Sequence, residues 1–448
     1  MMPNPETLPQ TLIEAARKAG ADAADAIAIH GTSLSIDVRE GALEQAERSE
    51  GTEIGLRVLV GQRQACVSAS DTRRETITEM AARAVAMARE APEDVTLGLA
   101  ASAELARDRD IAALELADPA PEPAPAALEE DARRAEAAAL SVRGVTQVQA
   151  ASAGYGRHDI RLAASNGFSA GYSRTDRGIT CVAISGTGTG MERDYCSETR
   201  VFQSDLPSPE GIGALAGKRC VARAAPRRPQ TGAFPVLYDE RVSASLVGHL
   251  LAAVNGAAIV RGASWLRDAL GDRVLPSGLS LIEEPHRPRI AASRPFDAEG
   301  LPTARRAIVE NGVLTGWVLD LGTARKLGLS STANAVRGAS SPPAPSAGNV
   351  TLTPGGRSRA DLIRDMGTGL LVTSLIGSTI NPNTGDYSRG AAGFWVENGE
   401  IVYPVNECTI AGNLRDMLRS LHPANDARPH LSRRVPSLLV EGLTLAGD

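Results

Sequence analysis

Residues 376 to 414 read Ile-Gly-Ser-Thr-Ile-Asn-Pro-Asn-Thr-Gly-Asp-Tyr-Ser-Arg-Gly-Ala-Ala-Gly-Phe-Trp-Val-Glu-Asn-Gly-Glu-Ile-Val-Tyr-Pro-Val-Asn-Glu-Cys-Thr-Ile-Ala-Gly-Asn-Leu. Asn398-Gly399 supplies the positive φ that a type I′ turn needs, so residues 393–402 are expected to form a β-hairpin. The same Val-Glu-Asn-Gly recurs at 309–312 and predicts a second hairpin over 307–318. Between the turn formers at 381–385 and the hairpin lie Asp386, Tyr387 and Arg389, the most polar cluster of the stretch. They mark a candidate binding cleft, although a turn capping a strand, with Arg389 paired to Asp386, is the plainer reading. The stretch carries no recognisable catalytic group.

Working outward, Pro235–Tyr238 reads as a strand. Residues 241–254 read as a helix with Val242, Leu246, His249, Leu250 and Ala253 on one face. His249 is the one suggestively placed histidine. A lone histidine on an apolar face is ordinarily a packed core residue, but it joins the candidate binding set. Upstream, residues 6–19 form a helix, followed by short strands at 26–30, 34–38, 54–60 and 65–69 and a helix at 75–89. The proline-rich run at 117–126 reads as a linker. Beyond it come a helix at 128–140, strands near 145–151, 159–164 and 178–186, and a helix at 211–223. The repeated order of helix, strands and helix hints at a duplication without close sequence identity. The expected fold is α+β. An N-terminal region of helices and short strands (1–228, divided by the linker) precedes a C-terminal domain (232–448) rich in antiparallel sheet.

Composition bounds the function. A 448-residue chain exceeds one ordinary core, and its 43% hydrophobic content supports ample burial. The net charge of −6 and the lack of any Lys/Arg stripe disfavour direct nucleic-acid binding. Cys66, Cys181, Cys196, Cys220 and Cys408 are widely spaced and read as free thiols in a reducing compartment. The residues after Met1 show no basic-then-apolar leader. The longest apolar stretch is broken by His249 and Asn255, so a cytoplasmic protein with no membrane contact is expected. Zinc-hydrolase spacing, a Gly-x-Ser-x-Gly elbow, a phosphate loop at 186–190 and a calcium loop at 381–386 all fail on residue type or spacing.

Several segments together resemble the TldD/PmbA family, in its PmbA (TldE) branch. They are Met366-Gly-Thr-Gly-Leu-Leu-Val-Thr373, Gly385-Asp-Tyr-Ser-Arg-Gly390, Gly393-Phe-Trp-Val-Glu-Asn-Gly399 and Thr409-Ile-Ala-Gly-Asn-Leu414. Gly248-His-Leu250, Asn255-Gly-Ala-Ala258, Pro285-His-Arg-Pro288 and Thr323-Ala-Arg-Lys-Leu-Gly-Leu329 extend the likeness. The resemblance implies that TldD-type members are zinc metalloproteases with a His-Glu-x-x-x-His helix and a later Cys ligand. PmbA-type members are implied to pair with them and to lack the metal. Here Ala244 and Ser245 stand where the first His and the Glu would be, leaving His249, and Ser388–Ala392 contains no Cys. One imidazole cannot hold zinc usefully, and without the Glu a general base is missing. The expected role is therefore a subunit with no catalytic or metal residues of its own. Zinc is expected in a TldD-type partner, and a peptide or unfolded segment as substrate. Two other readings stand beside it. One is a self-sufficient hydrolase using Asp386 with His249; the other is a regulatory binding protein, in line with the family's gyrase-modulator label.

Overall fold

The computed structural model of the protein describes residues 5–107 and 111–447; residues 1–4, where the leader reading begins, lie outside them. The first half forms one six-stranded sheet in the order β3-β2-β1-β4-β5-β6. Its strands are β1 (Ala23–Arg39), β2 (Ala42–Val60), β3 (Arg63–Ala69), β4 (Val145–Ala164), β5 (Ser169–Ser185) and β6 (Glu192–Arg200). Helices α1 (Leu8–Lys18) and α2 (Arg74–Glu90) flank the first three strands in sequence, and α3 (Pro125–Leu140) and α4 (Pro209–Ala222) flank the second three. The duplicated order of elements thus becomes a sheet whose halves meet where β1 and β4 pair antiparallel along Asp25–Val38.

The fold is α+β with mostly antiparallel sheets, as expected. The short strands are a misreading, because the pairs at 26–30 and 34–38, and at 145–151 and 159–164, are each one long strand. Gly31 and Gly156 lie in the gaps between those expected strands. Each sits in mid-strand because a neighbouring side chain fills its Cβ space: a Cβ on Gly31 would stand 2.9 Å from His158 Nδ1, and one on Gly156 2.6 Å from Asp176 Oδ1. Glycine inside a strand marks close approach as often as it marks a break. The proline-rich run also ends early, since Pro125 occupies the first turn of α3, where a missing N–H costs nothing.

Strand alternation gives the sheet two faces. Ala24, Ala26, Ala28, Leu34, Ile36 and Val38 of β1 point to the helices, the first three packing with α1 and α2 and the last three with α3 and α4. Asp25 and Ile27 point the other way, toward the C-terminal half, where Ile27, Phe168, Phe296 and Ala339 share a small apolar cluster.

That half is built around a sheet formed by β7 (Gly232–Tyr238) and the strands Gly369–Ile380, Asp386–Glu397, Glu400–Asn413 and Leu438–Ala446. Each pairs with the next, and Leu438–Ala446 pairs back with β7, closing a five-stranded ring. Helix α5 (Glu240–Ala253) follows β7 and buries Leu246, Val247 and Leu250 in the same core as Tyr238, Val372 and Trp395. Asp239 caps α5 by accepting from Arg241 N at 3.2 Å. Among the described residues no helix is long and apolar enough to cross a membrane.

Both predicted hairpins form, with Asn311 at φ 47° and Asn398 at φ 53°. Asn398→Ala should therefore lower stability by about 1 kcal/mol, since a Cβ-bearing residue without Asn's local hydrogen bonding tolerates this region poorly. Denaturant titration followed by circular dichroism reads the change; an unchanged midpoint would contradict the turn assignment.

Candidate functional site

A cleft of about 950 Å³ opens between the two halves. One wall is the β5–β6 end of the first sheet, with Val182, Ile184, Met191 and Asp194. The other is α5, through Arg241, Val242 and Ser245, and the strand segment Thr373–Ile376, with Arg389 beside it. The halves are tied along the cleft by charge. Arg241 of α5 reaches Asp194 of β6 at 3.0 Å across the cleft and Asp239 on its own side at 3.3 Å, while Arg223, within the first half, holds Glu192 at 3.6 Å and the same Asp194 at 3.8 Å.

The Gly369–Ile380 strand bears on what the cleft can hold. On one side it pairs with Asp386–Glu397 along most of its length, and on the other it pairs with β7 at Leu370–Val372. Past Val372, β7 gives way to α5, so among the described residues Thr373–Ile376 has no strand partner on its cleft side. A free edge carries backbone donors and acceptors that an extended chain satisfies. Ile376 is 66% exposed there, an apolar side chain turned to open space.

The sequence-predicted residues separate. Tyr387 and Arg389 share one face of their strand, and Asp386, one residue earlier, lies on the other. The expected Asp386–Arg389 pair therefore does not form, because adjacent strand residues point oppositely. Asp386 instead accepts from the Thr384 hydroxyl at 2.6 Å and from Asn413 Nδ2 at 3.0 Å, and these bonds hold its carboxyl below the usual range. Arg389 donates from Nε to Gly377 O at 2.7 Å. Tyr387 is buried; its hydroxyl lies 3.4 Å from that of Tyr238, and burial raises its pKa. The His249 ring meets Tyr387 edge-on, with centroids 5.9 Å apart. Burial, aided by the charge of Arg389, lowers the His249 pKa and keeps the ring neutral near pH 7. Tyr387, Arg389 and His249 thus meet behind the cleft, with Arg389 on its surface.

Arg193, Arg241, Asp194 and Thr373 also line the cleft and escaped the sequence reading. They come from β6, α5 and the ring of strands, and no spacing links them.

Family models match the chain in three consecutive parts: PmbA/TldA metallopeptidase domain 1 over residues 24–88, the central domain over 118–224 and the C-terminal domain over 231–447. The Escherichia coli O157:H7 protein named metalloprotease PmbA is 35% identical, over 95% of this chain and 93% of its own. The chain belongs to the PmbA/TldD family, in its PmbA branch. A Haemophilus influenzae PmbA homolog is 36% identical over 97% of this chain and 94% of its own. Among solved structures, a proposed modulator of DNA gyrase from Bacteroides thetaiotaomicron superposes with a TM-score of 0.91 at 26% identity, covering 99% of this chain and 98% of that one. TldE from Thermococcus kodakarensis shares the fold, with a TM-score of 0.86 at 20% identity over 98% of this chain and 100% of its own.

A metallopeptidase family implies a metal, and the donors of this PmbA-branch chain do not fit one. Helix α5 offers Ala244 and Ser245 where the family's first His and Glu would stand, and the Ser245 hydroxyl donates to Val242 O at 2.6 Å. Burial pushes the Cys408 thiol up to about 11, and its Sγ donates to Ala391 O at 3.2 Å, so it is held as a neutral thiol turned to the backbone. Among the described residues no group of three or more His, Cys, Asp and Glu is arranged to hold a metal ion.

Proposed function

We propose that this chain is the non-catalytic subunit of a heteromeric zinc metalloprotease, pairing with a TldD-type subunit that supplies the metal. Its cleft would then hold a peptide or unfolded segment as part of a shared chamber. The observation that carries the reading is a roomy cleft beside a helix whose metal-ligand positions hold Ala244 and Ser245. Membership of a metallopeptidase family supports the class of reaction, and the free edge at Thr373–Ile376 supports an extended substrate added as a strand.

The test is reconstitution. The purified chain should release no fragments from an unfolded protein substrate, whereas mixing with a TldD-type subunit should give cleavage that a chelator abolishes. Chelator-sensitive cleavage by the chain alone would sink the proposal.

A further inference from the structure

The cleft contains four arginines, and they fall into two groups. Arg223 and Arg241 are neutralised by Glu192, Asp194 and Asp239, and the Arg241–Asp194 pair joins the two halves. Arg389 and Arg193 face the cleft from opposite walls, and among the described residues neither has a carboxylate within ion-pairing distance. Arg389 spends its Nε on Gly377 O and lies within hydrogen-bonding reach of the Tyr387 hydroxyl, which fixes the side chain, yet neither neighbour carries a negative charge to balance it. A positioned, uncompensated arginine is notable in a chain whose net charge is −6.

A second, independent observation points to the same place. Thr373, on the cleft wall at the start of the unpaired edge, is 7% exposed, yet its hydroxyl has no hydrogen-bond partner. A polar group so enclosed costs free energy until something bonds to it. His249 Nε2 behind it is likewise buried and unpartnered. The neighbouring Leu375 and Ile376 are apolar, and Met191 on the opposite wall is 48% exposed.

Resting on the peptide-cleft reading above, we propose that the cleft recognises a carboxylate on its peptide, held by the Arg389 guanidinium, with the Thr373 hydroxyl bonding the same peptide further along the edge. The preferred ligand is thus an extended, apolar peptide presenting either its C-terminal carboxylate or an Asp or Glu side chain. Arginine suits this task because its planar fork matches two carboxylate oxygens at once. The carboxylate would complete the charge balance that Glu192, Asp194 and Asp239 give the other two arginines. His249, held neutral, leaves the attraction to Arg389.

The test measures binding of fluorescein-labelled apolar hexapeptides to the full-length chain by anisotropy. Three probes are used: free C-terminus, amidated C-terminus, and amidated with one internal Glu. The free acid should bind about tenfold more tightly than the amide, as a charge-assisted bidentate contact requires. Arg389→Gln should bring that ratio to about one, and Arg389→Lys should keep part of it; circular dichroism and melting temperature establish that both variants fold. Recovery of affinity by the internal Glu assigns a side-chain carboxylate, and its absence assigns the terminus. Equal affinities for acid and both amidated probes would overturn the inference and leave the peptide-cleft reading standing. Failure of every probe to bind would remove both.

Discussion

Replacing Asp25 with alanine should cost about 3 to 5 kcal/mol, the penalty of leaving buried charge without its counter-ion. Asp25 projects from β1 toward the C-terminal half and takes two cations at once. Arg57 on the adjacent β2 bonds it through Nε at 2.6 Å and Nη2 at 2.5 Å, and Arg337 from the C-terminal half bonds its other oxygen. The side chains of Arg57 and Arg337 are 5% and 1% exposed, so both guanidiniums have left water. Burial lowers the pKa of each, that of Arg337 to about 10, and still leaves both charged at neutral pH. The measurement is the midpoint of urea unfolding, with limited proteolysis as a probe of the junction between halves. Since a buried ion network is often replaceable by apolar side chains, the triple change Asp25→Ala, Arg57→Met, Arg337→Met should recover much of the loss. A single variant within about 1 kcal/mol of the parent would mean that the network is solvated in solution.

The second large effect is a dependence on pH at the same junction. Glu299 accepts from Leu321 N at 2.8 Å in a site shared with Asp297, Asp320 and Arg57. Burial first, and then the charge of Asp297, pushes its carboxyl from 4.5 up to about 8. Asp297, buried and accepting from the backbone N–H groups of Glu299, Leu301 and Ala335, is raised to about 6. A raised carboxyl binds its proton more tightly folded than unfolded. Its contribution is therefore fully present below the unfolded pKa and is lost as pH rises through the folded one. For Glu299 that window runs from 4.5 to about 8. Between pH 6 and 8 the chain should lose about 2 kcal/mol of stability, most of it from Glu299, because the window of Asp297, from 3.8 to about 6, lies below that range. Glu299→Gln keeps an acceptor for Leu321 N and cannot ionise, so its unfolding midpoint should be nearly flat over the same range. A parent chain equally stable at both pH values would show that Glu299 is already ionised and paired.

Much of the fold was legible because it rests on signals local in sequence. Asn311-Gly312 and Asn398-Gly399 name their turns through backbone φ, and the apolar stripe Leu246, Leu250 and Ala253 names α5 through helical period. That Ala244, Ser245 and His249 share one helix needed only its register. Errors came where a local signal had a non-local cause. The strand was expected to stop at His30, but it runs on through Gly31, where the side chain that demands glycine belongs to His158, on a strand far along the chain. Asp386 and Arg389 looked like a pair on the reading of a turn capping a strand, but both lie in the strand itself, where residues three apart fall on opposite faces.

The sequence by itself determined most of the helices, the two hairpins, the family and the placing of Ala244, Ser245 and His249 on one helix, since each depends on signals local in the chain. The tertiary structure decided what the cleft is made of and what holds the halves together. Arg389 meets His249 through the ring of strands, Arg193 faces it from another sheet, and Asp25 finds Arg337 across 312 positions. Such pairings arise when packing removes charges from water and forces each to find a partner, and chain order carries no mark of which partner that is.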